Sequence, residues 1–438
     1  MLRTVVLGLM IVTAASLAAS QSLSRIDRER GHVMLRFLRQ DLLDYYYDPG
    51  FHGVDIAARF NEADEKIDRA ATLGQMFLAI GGALFDLGDA HTQFIPPPRT
   101  LRVEYGWEMA MIGDSCYVTA VRPGSDAAAK GLRAGDRIFS IDGSVPSRSS
   151  IHVLKSTMVD LDPRSAVSLR VQSYDGVMKD LEISTRRSER ARVMNPAIPA
   201  GRDNTGDNAI PEEPALAVHA PQVKRIGDSV VVWKLSRFDF SAKETGRVME
   251  AIEGSGALIL DLRNNPGGYI TSLAALAGHF FDRDLTLFRA RGRAADDSVV
   301  AYSSATRYRG KVVVLIDSRS GSSSEIFARM MQIYGRGVVI GDVSGGSVME
   351  AMYRPHAVGA DNVIVYGANI TVAAITLPDG SPLEGRGVLP DEIVLPTPRD
   401  LALGLDPALS RATEIAGAPL DAWSAGELFP PVRGGGIP

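Results

Sequence analysis

A chain of 438 residues exceeds one ordinary domain and points to two or three. Its 45% apolar and 23% charged content is that of a soluble globular protein, and a net charge of −5 gives no reason to expect nucleic acid or an anionic membrane surface as partner. The single cysteine, Cys116, excludes an intramolecular disulfide, a cysteine-based metal cluster and a lipid-modified cysteine near the start.

The chain opens with Met1-Leu-Arg3 and an apolar run from Val5 to about Ala19, followed by a small-residue site at Ala18-Ala19-Ser20. An apolar run of about 15 residues falls short of the roughly 20 that span a bilayer. Residues 1–20 therefore read as a signal peptide, with export to a periplasmic or extracellular location and no stable membrane span after cleavage. The alternative is an uncleaved membrane anchor. Residues 21–100 form a helical region, with Val33, Leu35, Phe37, Leu38, Leu42 and Leu43 in one amphipathic stretch and Met76, Phe77, Ile80 and Leu84 in another. Pro96-Pro97-Pro98 ends it.

Between 101 and 186 the apolar runs shorten to strand length, at 116–121, 137–141 and 166–171, broken by Gly and Asp-Gly turns. Here Pro123-Gly-Ser-Asp-Ala-Ala-Ala-Lys-Gly-Leu-Arg-Ala-Gly-Asp136 precedes Arg137-Ile-Phe-Ser-Ile-Asp-Gly143: a short helix, a tight turn and a buried strand. This segment resembles a PDZ domain. The resemblance implies capture of an extended peptide as an added strand, with Tyr105, Gly106 and Trp107 in the loop that takes a terminal carboxylate. The alternative is that Trp107 is only a core aromatic. Residues 187–222, rich in Pro, Asn, Asp, Gly and Glu, read as a linker or exposed insertion.

From 223 to 400 strand-length runs alternate with helical patterns, which implies an α/β layer structure, and 401–438 follow as a C-terminal extension. The strands are expected at 229–235, 257–262, 312–317, 338–341, 363–365 and 370–375, and the helices at 242–253, 272–281 and 324–334. Active residues belong where strand ends meet loops. Two such junctions carry chemistry. Asp261-Leu-Arg-Asn-Asn-Pro-Gly-Gly268 follows a buried strand, and its glycines let the backbone turn tightly and present N–H groups to a developing oxyanion. Ser320-Gly-Ser-Ser-Ser-Glu325 sits on a strand-to-helix turn, where a serine hydroxyl is held exposed at a helix N-terminus. Out of context, Ser322 reads as a helix cap rather than a nucleophile.

These strings, continued by Tyr334-Gly-Arg336 and Val338-Val-Ile-Gly341, resemble the C-terminal processing (tail-specific) proteases. The resemblance implies an α/β core of the ClpP/crotonase-like type, with the helical N-terminal region and the inserted PDZ-like β-rich domain around it. It also implies Ser322 as nucleophile and an oxyanion hole from the backbone of Gly267, Gly268 and Ser323. One departure stands out. In the serine-lysine members the base follows the nucleophile by 25 residues, which falls on Ser347 in Ser344-Gly-Gly-Ser347-Val, and no lysine occurs after Lys311. Lys311 begins the strand leading to the nucleophile, and Lys224 and Lys243 match no family base position.

A histidine suits general-base work. Leu87-Gly-Asp-Ala-His91-Thr-Gln-Phe resembles the string that carries the catalytic histidine in the tricorn-core-like branch, which implies His91 as base. The rival reading is a structural histidine capping a helix end. Glu384, in Leu383-Glu-Gly-Arg-Gly-Val-Leu-Pro-Asp391, is by the same resemblance the acid that orients it; alternatively it is structural, pairing with Arg386 or a backbone turn. Asp89 reads as a shaper of the local turn. No metal site and no cofactor emerge, since the histidines are scattered and no His-Glu-x-x-His or calcium-loop spacing exists. The expectation is an exported serine peptidase acting on polypeptide substrates or protein C-termini. Its alternatives are a non-cleaving pseudo-protease that binds peptides through the PDZ-like groove, or a different hydrolase or small-ligand binder on the same scaffold.

Overall fold

The computed structural model describes residues 23–99, 101–189, 222–293, 296–359 and 363–429. The expected signal peptide at 1–20 lies outside the described residues, as does all but the two ends of the expected linker at 187–222.

Three helices, Arg25–Tyr45, Ile56–Arg69 and Leu73–Gly82, open the described chain, each with a Ser, Asp or Thr side chain accepting an amide of its own first turn. Met34, Leu35, Leu38 and Leu42 recur at helical spacing and are buried. Phe37 and Leu43 fall off that stripe and are exposed, although both belong to the apolar run read from sequence. The expected helix does not reach His91: a short turn at Phe85–Leu87 ends at left-handed Gly88, and His91 lies in a loop before the strand Gln93–Ile95. The reading of His91 as a helix cap is thereby corrected.

The PDZ-like unit is a five-stranded antiparallel sheet of Trp107–Ile112, Ser115–Val121, Arg137–Ile141, Ala166–Gln172 and Met178–Ser184. Its entry and exit strands, Leu101–Glu104 and Arg186–Glu189, pair antiparallel with each other, so the unit is an insertion closed at its neck. It is docked on the core. Arg148 donates to Asp342 Oδ1 (2.7 Å) and to the carbonyls of Val343 and Gly113, while the Gly113 amide donates to Asp342 Oδ2 (2.9 Å).

The core sheet runs, in spatial order, Glu392–Ile393, Val338–Gly341, Lys311–Ile316, Ala257–Asp261, Val230–Lys234 and Gln222–Ile226, all parallel except the last. Its central strands are apolar on both faces because both are covered. Val231, Leu258, Leu260, Val312 and Val314 meet the helices Ala242–Ile252, Ile270–Ala277 and Ser323–Ile333 on one side. Val232, Ile259, Val313 and Leu315 meet Ala408, Leu409, Ala412 and Ala425 on the other. The last four lie on the helices Pro407–Ala416 and Ala422–Leu428, so most of the expected C-terminal extension is one wall of the core. Each fully buried Val or Leu here contributes about 1.5–3 kcal/mol.

A second, antiparallel sheet joins Gln93–Ile95, Ile364–Thr376, Leu285–Gly292 and Asp296–Ala301, with Met349–Val358 also on Ile364–Thr376. The two short strands expected at 363–365 and 370–375 are thus one continuous strand. This sheet decides which loops meet. Pairing of Gln93 with Asn369, and of Met349 with Ala374, carries the loop holding His91 and the loop 344–348 alongside the C-terminal half of the same strand.

Candidate active site

Ser322 sits between the strand Lys311–Ile316 and the helix Ser323–Ile333, with φ 51° and ψ −118°. A positive φ is strained for a serine and persists only where the surroundings impose it. Three neighbours do so. The Ser322 amide donates to the Ser347 carbonyl (2.8 Å) and to Glu325 Oε2 (3.0 Å), and its carbonyl accepts from the amides of Glu325 and Ile326. The strand-to-helix turn before it is pinned by Ser320, whose hydroxyl donates to the Leu262 carbonyl (2.8 Å).

The glycine loop lies directly against this turn. Asn265, fully buried, donates from Nδ2 to the Leu235 carbonyl (2.8 Å), and its own carbonyl accepts from the Gly321 amide (2.9 Å) and the Ser324 hydroxyl (3.0 Å). At Gly267 (φ 102°) a Cβ would stand 2.6 Å from Ser322 Cβ, so only glycine permits the approach. Gly267→Ala is expected to displace Ser322 and lower kcat/KM by at least about 10²-fold. Active-site titration with a thermal melt checks this, and unchanged turnover would contradict it.

The three amides expected to hold an oxyanion divide. Gly267 donates to Asn265 Oδ1 (2.9 Å) and is occupied. Those of Gly268 and Ser323 carry no hydrogen bond among the described residues, and the Ser323 hydroxyl ties the two segments by donating to the Gly268 carbonyl (3.1 Å). Gly267 therefore serves as the close-approach residue, while Gly268 and Ser323 offer free donors.

Glu325, which sequence reading took only as part of a motif, is the hub of the site. Wholly buried, it accepts from the Ser344 hydroxyl (2.6 Å) and from the amides of Gly346 (2.7 Å), Ser347 (2.9 Å) and Ser322 (3.0 Å). Burial pushes its carboxyl above the usual range, against the opposing pull of these bonds. The Ser-x-x-Glu spacing of a capping box was the available signal.

Ser347 touches both halves of the site. Its carbonyl takes the Ser322 amide, and its Oγ lies 3.4 Å from His91 Nδ1. Burial lowers the His91 pKa, with Asp89 opposing, so the ring is neutral at pH 7 and able to accept a proton. Asp89 accepts from the amides of His91 (2.8 Å) and Thr92 and from the Thr92 hydroxyl (2.7 Å), the turn-shaping part read from sequence. Glu384 accepts from the Val348 amide (2.6 Å) and the Ala90 amide (3.5 Å), and burial first, then Asp89 and Glu325, raise it to about 7.

Asp89, His91 and Glu384 each offer a ligand atom, and the three lie within 4.8 Å of one another, a convergence that the sequence spacing does not reveal. Both carboxylates already accept amide hydrogen bonds there, which suits a site that holds an imidazolium.

The lysines weighed from sequence are distant in role. Lys311 donates to the Ile415 carbonyl at the start of its strand, and Lys224 and Lys243 are exposed on an edge strand and a surface helix. Lys155, on the PDZ-unit helix Ile151–Ser156, was not singled out; burial, then Arg319, lowers its pKa. In the PDZ unit, Tyr105 and Trp107 are each 2% exposed, and the Tyr105 hydroxyl donates to the Met158 carbonyl (2.7 Å). Both side chains are core, and left-handed Gly106 between them is also buried, its carbonyl accepting from the Arg122 amide (2.8 Å).

Comparison with known proteins bears on this geometry. Residues 230–394 match peptidase family S41, and residues 117–172 match a PDZ domain. A carboxyl-terminal-processing protease of Picosynechococcus sp. is 25% identical over 346 residues, 76% of each chain. A probable CtpA-like serine protease of Staphylococcus aureus is 24% identical over 75% of this chain, which spans only 62% of that relative. Among solved structures, mature CPAF complexed with lactacystin superposes with a TM-score of 0.59 at 14% identity, over 86% of this chain and 95% of that one. The photosystem II D1 C-terminal processing protease gives 0.51 at 22%, over 91% and 99%. At these identities the two structures establish a shared fold.

Proposed function

We propose that this chain, a serine peptidase whose residues 230–394 match family S41 and which carries an inserted PDZ domain, cleaves polypeptides through an acyl-enzyme on Ser322, with His91 as base in place of a lysine. In this reading Ser322 Oγ attacks the scissile carbonyl and His91 takes its proton. The oxyanion is held by the amides of Gly268 and Ser323, and His91 returns the proton to the leaving amine. Water then repeats the sequence to free the acid.

The observation that carries the reading is the position of Ser347. The residue standing where the family lysine is expected accepts the Ser322 amide and faces His91 Nδ1, so an imidazole adjoins the place of the missing amine. Glu384 and Asp89 stabilise the imidazolium that forms. We propose export as well, on the apolar run and small-residue site of residues 1–20.

The vacancy at Ser347 also favours a second reading, a protein that binds peptides without cutting them. Incubation of the purified protein with an unfolded polypeptide, followed by mass spectrometry, separates the two. New termini that disappear with Ser322→Ala support the peptidase, and intact substrate retained on the protein supports binding alone.

Glu384 supplies a prediction with a definite sign. Its carboxyl, raised from 4.5 to about 7, stabilises the fold least when ionised: its contribution is full below about 4.5 and is lost as pH rises through 7. Glu384→Gln is expected to gain up to about 3 kcal/mol of stability above pH 7.5 while losing roughly 10²- to 10⁴-fold in kcat. Denaturant melts at pH 5 and 8 and a pH–rate profile measure both, and a variant that keeps wild-type kcat would remove Glu384 from the mechanism.

A further inference from the structure

A concave site lies at the opposite end of the core strands from Ser322. Ser322 is at the strand ends, whereas this cavity of about 460 Å³ opens beside the strand starts, where Arg309 precedes Lys311–Ile316 and Tyr334 closes the helix Ser323–Ile333. Four arginines line it: Arg283, Arg307, Arg309 and Arg336. Asp282 is the one acid among the lining residues.

The arginines are held but not neutralised. Arg336 donates to the carbonyls of Phe280 (3.0 Å) and Tyr308 (2.6 Å) and lies over the Tyr308 ring; Arg307 donates to the Asp282 carbonyl (3.3 Å); Arg283 lies over Tyr334. None of the four forms an ion pair among the described residues. Some arginines elsewhere find carboxylates, Arg263 with Asp261 and Asp406, Arg319 with Asp317 and Arg411 with Glu392, while Arg28 and Arg293 donate to backbone carbonyls singly and not in a cluster. Four guanidinium groups facing one carboxylate in a protein of net charge −5 form a local excess of positive charge with no internal partner. Guanidinium forks match phosphate oxygens two at a time, and a cavity of this size takes a small organic ligand rather than a chain.

We propose that this pocket binds a small molecule through two or more negative charges carried on phosphate groups. Arg336 is fixed by the two carbonyls and forms the floor. Arg307 is half-buried, and the exposed Arg283 and Arg309 close on the ligand from the rim. The site is separate from the peptidase chemistry, so its occupancy is read independently of turnover.

Inorganic pyrophosphate is the probe, titrated calorimetrically into the wild-type protein and into Arg283→Gln/Arg309→Gln, whose replaced side chains donate no hydrogen bond among the described residues. One saturable site is expected, weakened by at least about 10-fold in the double variant, which loses two charge-assisted contacts. Thermal melting verifies that the variant is folded, and fluorophosphonate labelling at Ser322 stays at the wild-type rate. Unsaturable binding, or equal affinity in the two proteins, overturns the proposal. Citrate binding as tightly as pyrophosphate overturns the assignment to phosphate. Sedimentation with phosphatidylglycerol vesicles that pyrophosphate does not compete identifies a membrane-facing surface and likewise overturns it.

Discussion

Ser322→Ala is expected to lose roughly 10⁴- to 10⁶-fold in kcat on a polypeptide substrate and all labelling by a fluorophosphonate, with an unchanged fold. The Ser322 bonds that shape the turn come from its backbone: the amide to Ser347 and Glu325, the carbonyl from Glu325 and Ile326. Removing Oγ leaves them in place and relieves no packing, so the loss reads chemistry alone. Ser323 and Ser324, the neighbours that could take its place, are committed to the carbonyls of Gly268 and Asn265 and are buried. Residual labelling of the variant would mean that the nucleophile lies elsewhere.

The second large effect is at His91. Replacement by Ala is expected to lower kcat by about 10³-fold or more with little change in KM, because the ring acts on the proton and holds no substrate group in the ground state. Added imidazole restores part of the rate if the pocket beside Ser347 stays open. Thr92, next in sequence, is pinned by Asp89 and Thr371, and Gln93 is paired with Asn369, so the loop keeps its path without the ring. A His91→Ala enzyme with wild-type kcat would leave Lys155 as the amine to examine, since burial lowers its pKa beside Arg319.

The core strands and the two loops of the candidate site are legible in sequence for a physical reason. Strands covered on both faces read as unbroken apolar runs, and the turns at Gly267-Gly268 and Ser322 demand residue types that few other positions need. Less was legible where the signal is diluted. Ala408, Ala412 and Ala425 build one wall of the core with residues too small to mark a face. Met349–Val358 mixes polar and apolar side chains because most of them are only half-buried, so its alternation is lost. Leu285–Gly292 is missed for another reason: a bulge between Thr286 and Phe288 breaks its period. Glu325 looks like an ordinary capping-box residue, and only the fold brings Ser344, Gly346 and Ser347 to its carboxylate. His91 and Ser347 are 256 residues apart and meet only through the strand Ile364–Thr376, which pairs with the neighbours of both.

The proposed reaction uses a histidine where a lysine is absent, and the pH dependence of fluorophosphonate labelling tests that directly. The second-order rate constant at Ser322, measured from pH 5 to 10, is expected to rise to a plateau by about pH 8, the neutral imidazole being the active form of a group whose pKa burial keeps low. In His91→Ala the rate is expected to fall by about 10³-fold and the acid limb to vanish. A variant that labels at the wild-type rate with the same limb, or a wild-type rate still climbing towards pH 10 as an amine deprotonates, would contradict it.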